Sequence, residues 1–219
     1  MKIAASTNPE REDKLIEYAR LLQDSGVDYL HFDVMDGQFV AGSCLDAELA
    51  KQVSFSTLLM LDVHLMVANP MEAIKQYLGV RPNYITVHYE SFNNKEDIIK
   101  AIELIKQHGV LVGVSINPDT KVEEVLDILP LIDLFLIMSV VPGLSGQSFI
   151  EDTYNKFEIA NNYRKSYNLN FKLQADGGVN ECNIGKLAKL GVDIAVVGSA
   201  LYKAEDKAEY IKKLKALCS

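Results

Sequence analysis

Short aliphatic or β-branched runs alternate with amphipathic helical stretches eight times along the 219 residues, and this alternation leaves few folds open. The runs fall at 2–6, 29–34, 58–66, 84–89, 110–116, 134–140, 171–175 and 194–197. Parallel neighbours in a sheet need a long crossover between them, and a helix is the usual one. Eight strand-then-helix units, with no Pro/Ser-rich linker and no break in composition, predict one α/β domain over residues 1–219, a (β/α)8 TIM barrel. An open doubly wound sheet is the competing arrangement. It fits poorly, because no Gly-x-Gly-x-x-Gly turn follows the first run.

The helical stretches carry end signals. Asn8 is expected to cap the first, with Pro9 at its first turn and Leu15, Ile16, Ala19 and Leu22 on its buried face before Gly26 stops it. The second is short, near 46–53. Pro70 opens the third and Gly79 closes it, Asp119 or Thr120 caps the fifth, and Gly191 ends the seventh. Residues 149–170 read as one long helix.

Nearly half of the chain is apolar (48%), enough for a large core, and the formal charge is −8. That balance argues against nucleic acid or an anionic membrane surface as partner. Cys44, Cys182 and Cys218 form no Cys-x-x-Cys pair, so neither a disulfide framework nor a zinc knuckle is indicated. The N-terminal residues lack the apolar core of a signal peptide, and no uncharged stretch is long enough to span a bilayer. A reduced, cytoplasmic location is the expectation.

In a barrel of this kind the chemistry sits at the C-terminal ends of the strands. His31 and Asp33 end the second run, His64 the third, and Asp176 the seventh. Residues two apart on a strand share a face, so His31 and Asp33 point the same way. Two carboxylates gathered at one level are costly to bury uncompensated. One divalent cation balances them, since two neutral imidazoles, two carboxylates and M²⁺ sum to zero charge. Mixed nitrogen and oxygen ligation suits Zn²⁺, Fe²⁺, Mn²⁺ or Co²⁺. Asp36, before Gly37, reads as a turn residue, and Asp62 lies deeper than His64 and reads as structural. His88 is either a neighbour of the ligand set or packing, and His108 suits a helix C-terminus.

Three glycine-bearing segments follow the sixth, seventh and eighth runs: Pro142-Gly-Leu-Ser-Gly-Gln147, Asp176-Gly-Gly178 and Gly198-Ser199. Glycines let backbone N–H groups approach an anion, and the loops after the last two barrel strands are the usual phosphate site. Together with the His/Asp set they point to a phosphorylated substrate.

At this point the chain resembles the ribulose-phosphate 3-epimerase family. His31-Phe-Asp-Val-Met-Asp-Gly37, Asp62-Val-His-Leu-Met-Val67, Ile85-Thr-Val-His88, Asn117-Pro118, Met138-Ser-Val-Val-Pro-Gly-Leu-Ser-Gly-Gln147, Asp176-Gly-Gly178 and Val197-Gly-Ser-Ala200 fall in the family's order. The resemblance implies a metal held by His31, Asp33, His64 and Asp176, with Asp33 and Asp176 also the acid/base pair. It implies that Ser6 and His64 face a ketose phosphate, and that Gly143, Leu144, Ser145, Gly146, Gly177, Gly178, Gly198 and Ser199 hold its phosphate. Met35, Met66 and Met138 match methionines around the reacting carbons. The implied reaction interconverts D-ribulose 5-phosphate and D-xylulose 5-phosphate through an enediolate, in a homo-oligomer.

Some positions depart from the family pattern. Val141 stands where Asn is usual, Leu144 and Ser145 replace Phe and Gly, Ala5 replaces Pro, and Ala41-Gly-Ser-Cys44 replaces a Pro-Asn segment. None removes a ligand or an acid/base group, so they bear on the cup around the sugar. An allulose 6-phosphate or another hexulose phosphate is therefore the rival substrate class. A non-catalytic sugar-phosphate sensor would have been favoured by loss of one carboxylate, and both are present. A decarboxylase of the orotidine-phosphate kind wants Lys where Met35 stands.

Overall fold

The computed structural model describes residues 1–44 and 46–218. Its strands are β1 (Lys2–Ser6), β2 (Tyr29–Asp36), β3 (Ser43–Cys44), β4 (Met60–Met66), β5 (Tyr84–His88), β6 (Leu111–Ile116), β7 (Leu134–Met138), β8 (Lys172–Asp176) and β9 (Ile194–Val197). The order is β1-β9-β8-β7-β6-β5-β4-β2, all parallel, and the β1–β2 pairing closes the ring into a (β/α)8 barrel. The two-residue β3 is an antiparallel addition to the end of β2.

The strands are buried on both faces, which is why they read as near-continuous apolar runs. On β7, Leu134, Leu136 and Met138 join the cluster inside the barrel with Ala4, Tyr29, Tyr84 and Ile194. Phe135 and Ile137 belong instead to the large cluster between strands and helices. The same period of two sets the functional end: the inward series are Ala4 and Ser6, Tyr29, His31 and Asp33, Tyr84, Thr86 and His88. On these three strands polar side chains take over the inward positions toward the top, whereas β7 stays apolar as far as Met138.

The bottom of the barrel repeats one device four times. Asp28, Asn83, Asp133 and Asp193 stand just before β2, β5, β7 and β9, and each side chain accepts from a backbone N–H at the start of the barrel strand before it. The donors are Ile3 (2.9 Å), Leu61 (2.8 Å), Val112 (3.0 Å) and Leu173 (2.8 Å). Each also donates its own N–H back to the same residue's carbonyl. These reciprocal pairs satisfy strand-end groups that the sheet leaves open.

The helices are α1 (Leu15–Asp24), α2 (Ala47–Ser56), α3 (Pro70–Leu78), α4 (Lys95–Gln107), α5 (Tyr154–Ser166), α6 (Ile184–Lys189), α7 (Ser199–Lys203) and α8 (Lys207–Leu217). Asp46, Asn94 and Asp206 cap α2, α4 and α8 through their side chains, and Pro70 occupies the first turn of α3. Three expectations are corrected. Asn8 does not cap the first helix; its N–H donates to Ser6 Oγ at 3.2 Å, and a 3-10 turn at Glu12–Lys14 precedes α1. The stretch capped by Asp119 or Thr120 forms no α-helix. It holds 3-10 turns at Val122–Glu124 and Leu129–Leu131. Its buried residues Val122, Val125 and Ile128 recur every three positions, the 3-10 period, and Pro130 blocks a longer run. The helix expected over 149–170 is shorter: Glu151–Thr153 is a 3-10 turn, and Asn168 at φ 51° turns the chain out after α5.

Candidate active site

Asp33, Asp176, His31 and His64 each turn one ligand atom to a common point, and the four atoms lie within 4.8 Å of one another. His31 Nε2 is 3.3 Å from Asp33 Oδ1 and 3.5 Å from Asp176 Oδ2; His64 Nδ1 is 3.3 Å and 3.7 Å from the same two oxygens. Both imidazoles are fully buried and Asp33 nearly so. Asp33 and Asp176 belong to strands separated by β1 and β9, so the two carboxylates approach from different sides of the barrel mouth.

The surroundings hold these groups in place. His31 Nδ1 meets Asp62 Oδ2 at 2.8 Å, and that oxygen also accepts from Gln174 Nε2 at 2.7 Å. Ser6 Oγ donates to Asp33 Oδ2 at 3.0 Å, leaving Oδ1 toward the imidazoles. Behind His64 lies His88, with 2.9 Å between their Nε2 atoms, and His88 Nδ1 is 3.1 Å from Glu90 Oε2. Asp36 is a turn residue: its carboxylate accepts from the N–H groups of Gln38, Phe39 and Ala68. His108 Nδ1 bonds the Leu104 carbonyl far from the site.

The donor set fits a divalent cation. His31 Nε2 is buried with no hydrogen-bond partner, though two carboxylates stand close by. Burial works against an imidazolium at His31, yet Asp62, Asp33 and Asp176 outweigh it and pull its pKa well above the ordinary value. Burial likewise works to raise the Asp33 pKa, and His31 and His64 overcome it and hold the group below the usual carboxylate range. The site therefore favours an ionised Asp33 with positive charge beside it.

Above the cluster opens a cleft. Ser6, Asp33, Met66, Met138 and Asp176 are among its lining residues. Gly143, Leu144, Ser145, Gly146, Gly177, Gly178, Gly198 and Ser199 line it too, so the three glycine segments meet in one place. His64 lies beneath this lining, fully buried. Gly177 (φ 113°) and Gly178 (φ 66°) adopt backbone that L side chains rarely take, and a Cβ on Gly178 would sit 2.5 Å from Phe149 N. No Lys or Arg is among the lining residues, so an anion here meets backbone N–H groups and hydroxyls.

Gln147 was missed as an individual residue. Its Nε2 donates to the carbonyls of Val141 (2.6 Å) and Leu144 (2.9 Å) and so ties the loop to itself. Val141 is 61% exposed and is not among the residues that line the cleft. Met35 packs with Val40 and Met66 below the cleft wall. Glu90 gave only one signal in the sequence, its place two residues beyond His88 on what proves to be a 3-10 turn at Tyr89–Ser91.

A closed barrel with paired carboxylates and imidazoles at its mouth, beside a glycine-lined cleft, defines an α/β barrel with acid/base and cation-binding groups where barrel enzymes carry their chemistry. The comparisons with known proteins narrow this class. The model of the Ribulose-phosphate 3 epimerase family matches residues 2–202. The ribulose-phosphate 3-epimerase of Aquifex aeolicus is 37% identical over 192 residues, covering 88% of this chain and 85% of that one. That of Chlamydia pneumoniae is 34% identical, with 87% and 82% covered. Among solved structures, 3-hexulose-6-phosphate synthase from Salmonella typhimurium superposes with a TM-score of 0.74 at 16% identity, over 100% of this chain and 98% of that one, a likeness of fold alone. The chain belongs to the ribulose-phosphate 3-epimerase family and is an isomerase of the epimerase type.

Proposed function

We propose that this protein inverts C3 of a ketose phosphate, interconverting D-ribulose 5-phosphate and D-xylulose 5-phosphate with Asp33 and Asp176 as the two proton carriers. The observation that carries the reading is the pair itself: two carboxylates from separated strands, sharing two imidazoles, in a cleft that the glycine segments also line. Inversion without a redox cofactor needs one group to remove a proton from one face and a second to deliver one to the other. Asp33, held ionised, is suited to take the proton, and Asp176 to return it; the roles exchange in the reverse direction. His31, Asp33, His64 and Asp176 would hold one Zn²⁺, Fe²⁺, Mn²⁺ or Co²⁺. When bound, the cation supplies the positive charge that stabilises an enediolate beside so weak a base.

Ser6 orients Asp33 by its 3.0 Å hydrogen bond and lines the cleft where the sugar would lie. Gly143, Leu144, Ser145, Gly146, Gly177, Gly178, Gly198 and Ser199 would receive the phosphate, and Met66 and Met138 would exclude water from the reacting carbons. The same reading treats residues 1–219 as one catalytic unit. Three free cysteines support a reducing, cytoplasmic setting. No helix among the described residues is long and apolar enough to cross a membrane. Phe55 and Leu58, 80% and 95% exposed, support self-association, which light scattering would test.

The deciding experiment is proton NMR in D2O of metal-reconstituted protein with D-ribulose 5-phosphate. Formation of D-xylulose 5-phosphate with deuterium at C3 is expected. Faster turnover of D-allulose 6-phosphate would move the reading to hexulose phosphates, and neither conversion nor exchange would overturn it.

A further inference from the structure

Imidazole-to-imidazole hydrogen bonds carry one proton between two nitrogens, so each such bond sets the tautomer of both rings. His64 turns Nδ1 to the His/Asp cluster, and an imidazole nitrogen that binds a cation must present a lone pair there. Neutral His64 then carries its proton on Nε2 and donates it to His88 Nε2 at 2.9 Å. The two ring planes are inclined by 24°, with their centroids 4.9 Å apart. His88 must in turn carry its proton on Nδ1 and donate to Glu90 Oε2 at 3.1 Å. Glu90 is itself fixed: its other oxygen accepts from the Asn117 N–H at 2.7 Å and from the Thr120 hydroxyl. Lys156 Nζ braces this turn from outside by donating to the Asn117 and Thr120 carbonyls. Every bond in the chain runs one way, from His64 to Glu90.

We infer that His88 and Glu90 are positioning residues that lock the His64 tautomer and so set the affinity of the site for its cation. His31 has the short version of this arrangement, a carboxylate directly behind it at Asp62. His64 has the long version, with a second imidazole between ligand and carboxylate. The inference rests on the metal-site part of the proposed function, not on the identity of the sugar. Mere packing behind His64 would need the shape of His88 and Glu90 but not the direction of their hydrogen bonds.

Glu90→Gln separates the two. The substitution keeps shape, but the Asn117 N–H and the Thr120 hydroxyl favour the amide oxygen on their side, which aims the amide NH2 at His88 Nδ1. His88 must then move its proton to Nε2, opposing the His64 Nε2 proton and driving it toward Nδ1. The test is cation affinity of the metal-stripped full-length protein, measured with Zn²⁺ and Co²⁺ against a chromophoric chelator without substrate, together with the visible spectrum of the Co²⁺ form. Glu90→Gln and His88→Leu should each weaken binding about 10- to 100-fold and alter the Co²⁺ bands. His88→Gln, whose amide oxygen still accepts from His64, should stay within a few-fold of the parent. Far-UV circular dichroism checks the folding of each variant, and Glu90→Gln decides the matter if His88→Leu does not fold. Parent-like affinity and spectrum in Glu90→Gln would overturn the inference, as would failure of the parent to bind either ion. A parent that binds the ions but epimerises no ketose phosphate would overturn the proposed reaction and leave this relay standing.

Discussion

His31 and His64 each place a ring nitrogen 3.3 Å from the same atom, Asp33 Oδ1, but they use different nitrogens to do so. Sheet register explains the difference. His64 stands directly opposite Asp33 on the neighbouring strand, so its near nitrogen, Nδ1, meets the carboxylate. His31 lies two residues back, opposite Asp62, and must reach up with Nε2 while Nδ1 turns to Asp62. Two rungs of one β-ladder, His31 beside Asp62 and Asp33 beside His64, thus build half of the site and its support.

Removing bound metal should stop turnover. Two carboxylates and a strongly basic His31 mark a place that needs a cation, and several kcal/mol of charge stabilisation depends on it. Prolonged chelation is expected to lower kcat/KM by on the order of 10²–10³-fold, with Zn²⁺, Fe²⁺, Mn²⁺ or Co²⁺ restoring it. Elemental analysis alongside steady-state rates is the check. Full activity in demonstrably metal-free protein would sink the assignment.

Asp33→Asn and Asp176→Asn should each abolish epimerisation in a folded barrel. An acid/base group contributes roughly 10²–10⁴ in rate, and more where it also binds the cation. Each variant retains one carboxylate, so solvent deuterium exchange at one face of C3 can outlast net inversion. Near-normal turnover by either variant would refute the two-carboxylate assignment.

Much of this was legible in the chain because periodicity and position carry it. The eight runs mark the barrel strands, and the period of two puts His31 with Asp33. Other features depend on partners distant in sequence. Gln174 reaches Asp62 across 112 positions, and no local pattern announces that bond. The β6–β7 connection misleads in the opposite way: its buried residues recur every three positions, too close to the helical period to separate by eye. Asn8 looks like a helix cap, but a 3-10 turn at Glu12–Lys14 intervenes and α1 starts only at Leu15, seven residues beyond it.

Gly177→Ala should close the cleft and strain the loop. At φ 113° an alanine is unfavourable, and its Cβ would lie 2.4 Å from Val140 Cγ2 and 2.9 Å from the Val140 backbone nitrogen. The backbone alone should cost about 1–3 kcal/mol of stability, read from urea unfolding. Because Gly177 lines the cleft beside Asp176, KM should rise as well. Unchanged stability and KM would mean that the loop has room to shift.

The bottom of the barrel predicts a pH effect independent of the active site. Burial alone would raise the Asp28 pKa, but the Ile3 N–H, Lys2 and Lys215 together lower it. A carboxylate with a folded pKa below its unfolded value adds stability above the unfolded value, 3.8 for Asp28, and loses it as pH falls through the folded one. Asp28→Asn should therefore be less stable than the parent at pH 7, with the gap narrowing as pH drops below about 4. Urea unfolding at both pH values measures the gap; one that widens in acid would contradict the assignment.

The last prediction concerns Gln147, which holds the glycine loop through two carbonyls, those of Val141 and Leu144. Gly143 (φ 104°) and Gly146 (φ 80°) give that loop freedom on either side, and Leu144 at its tip is 67% exposed. Without the Gln147 amide little else ties the loop to itself, and a mobile loop must be ordered each time substrate binds. A neutral hydrogen bond contributes about 0.5–1.5 kcal/mol net, so losing two should raise KM roughly 5- to 150-fold. Gln147→Leu keeps the volume and removes the donors. The chemical step relies on Asp33 and Asp176, which Gln147 does not hydrogen-bond, so kcat at saturating substrate should change less than KM. Steady-state kinetics on D-ribulose 5-phosphate distinguishes the two. A fall in kcat with KM unchanged would place Gln147 in the chemistry and reject its role as the tie of the loop.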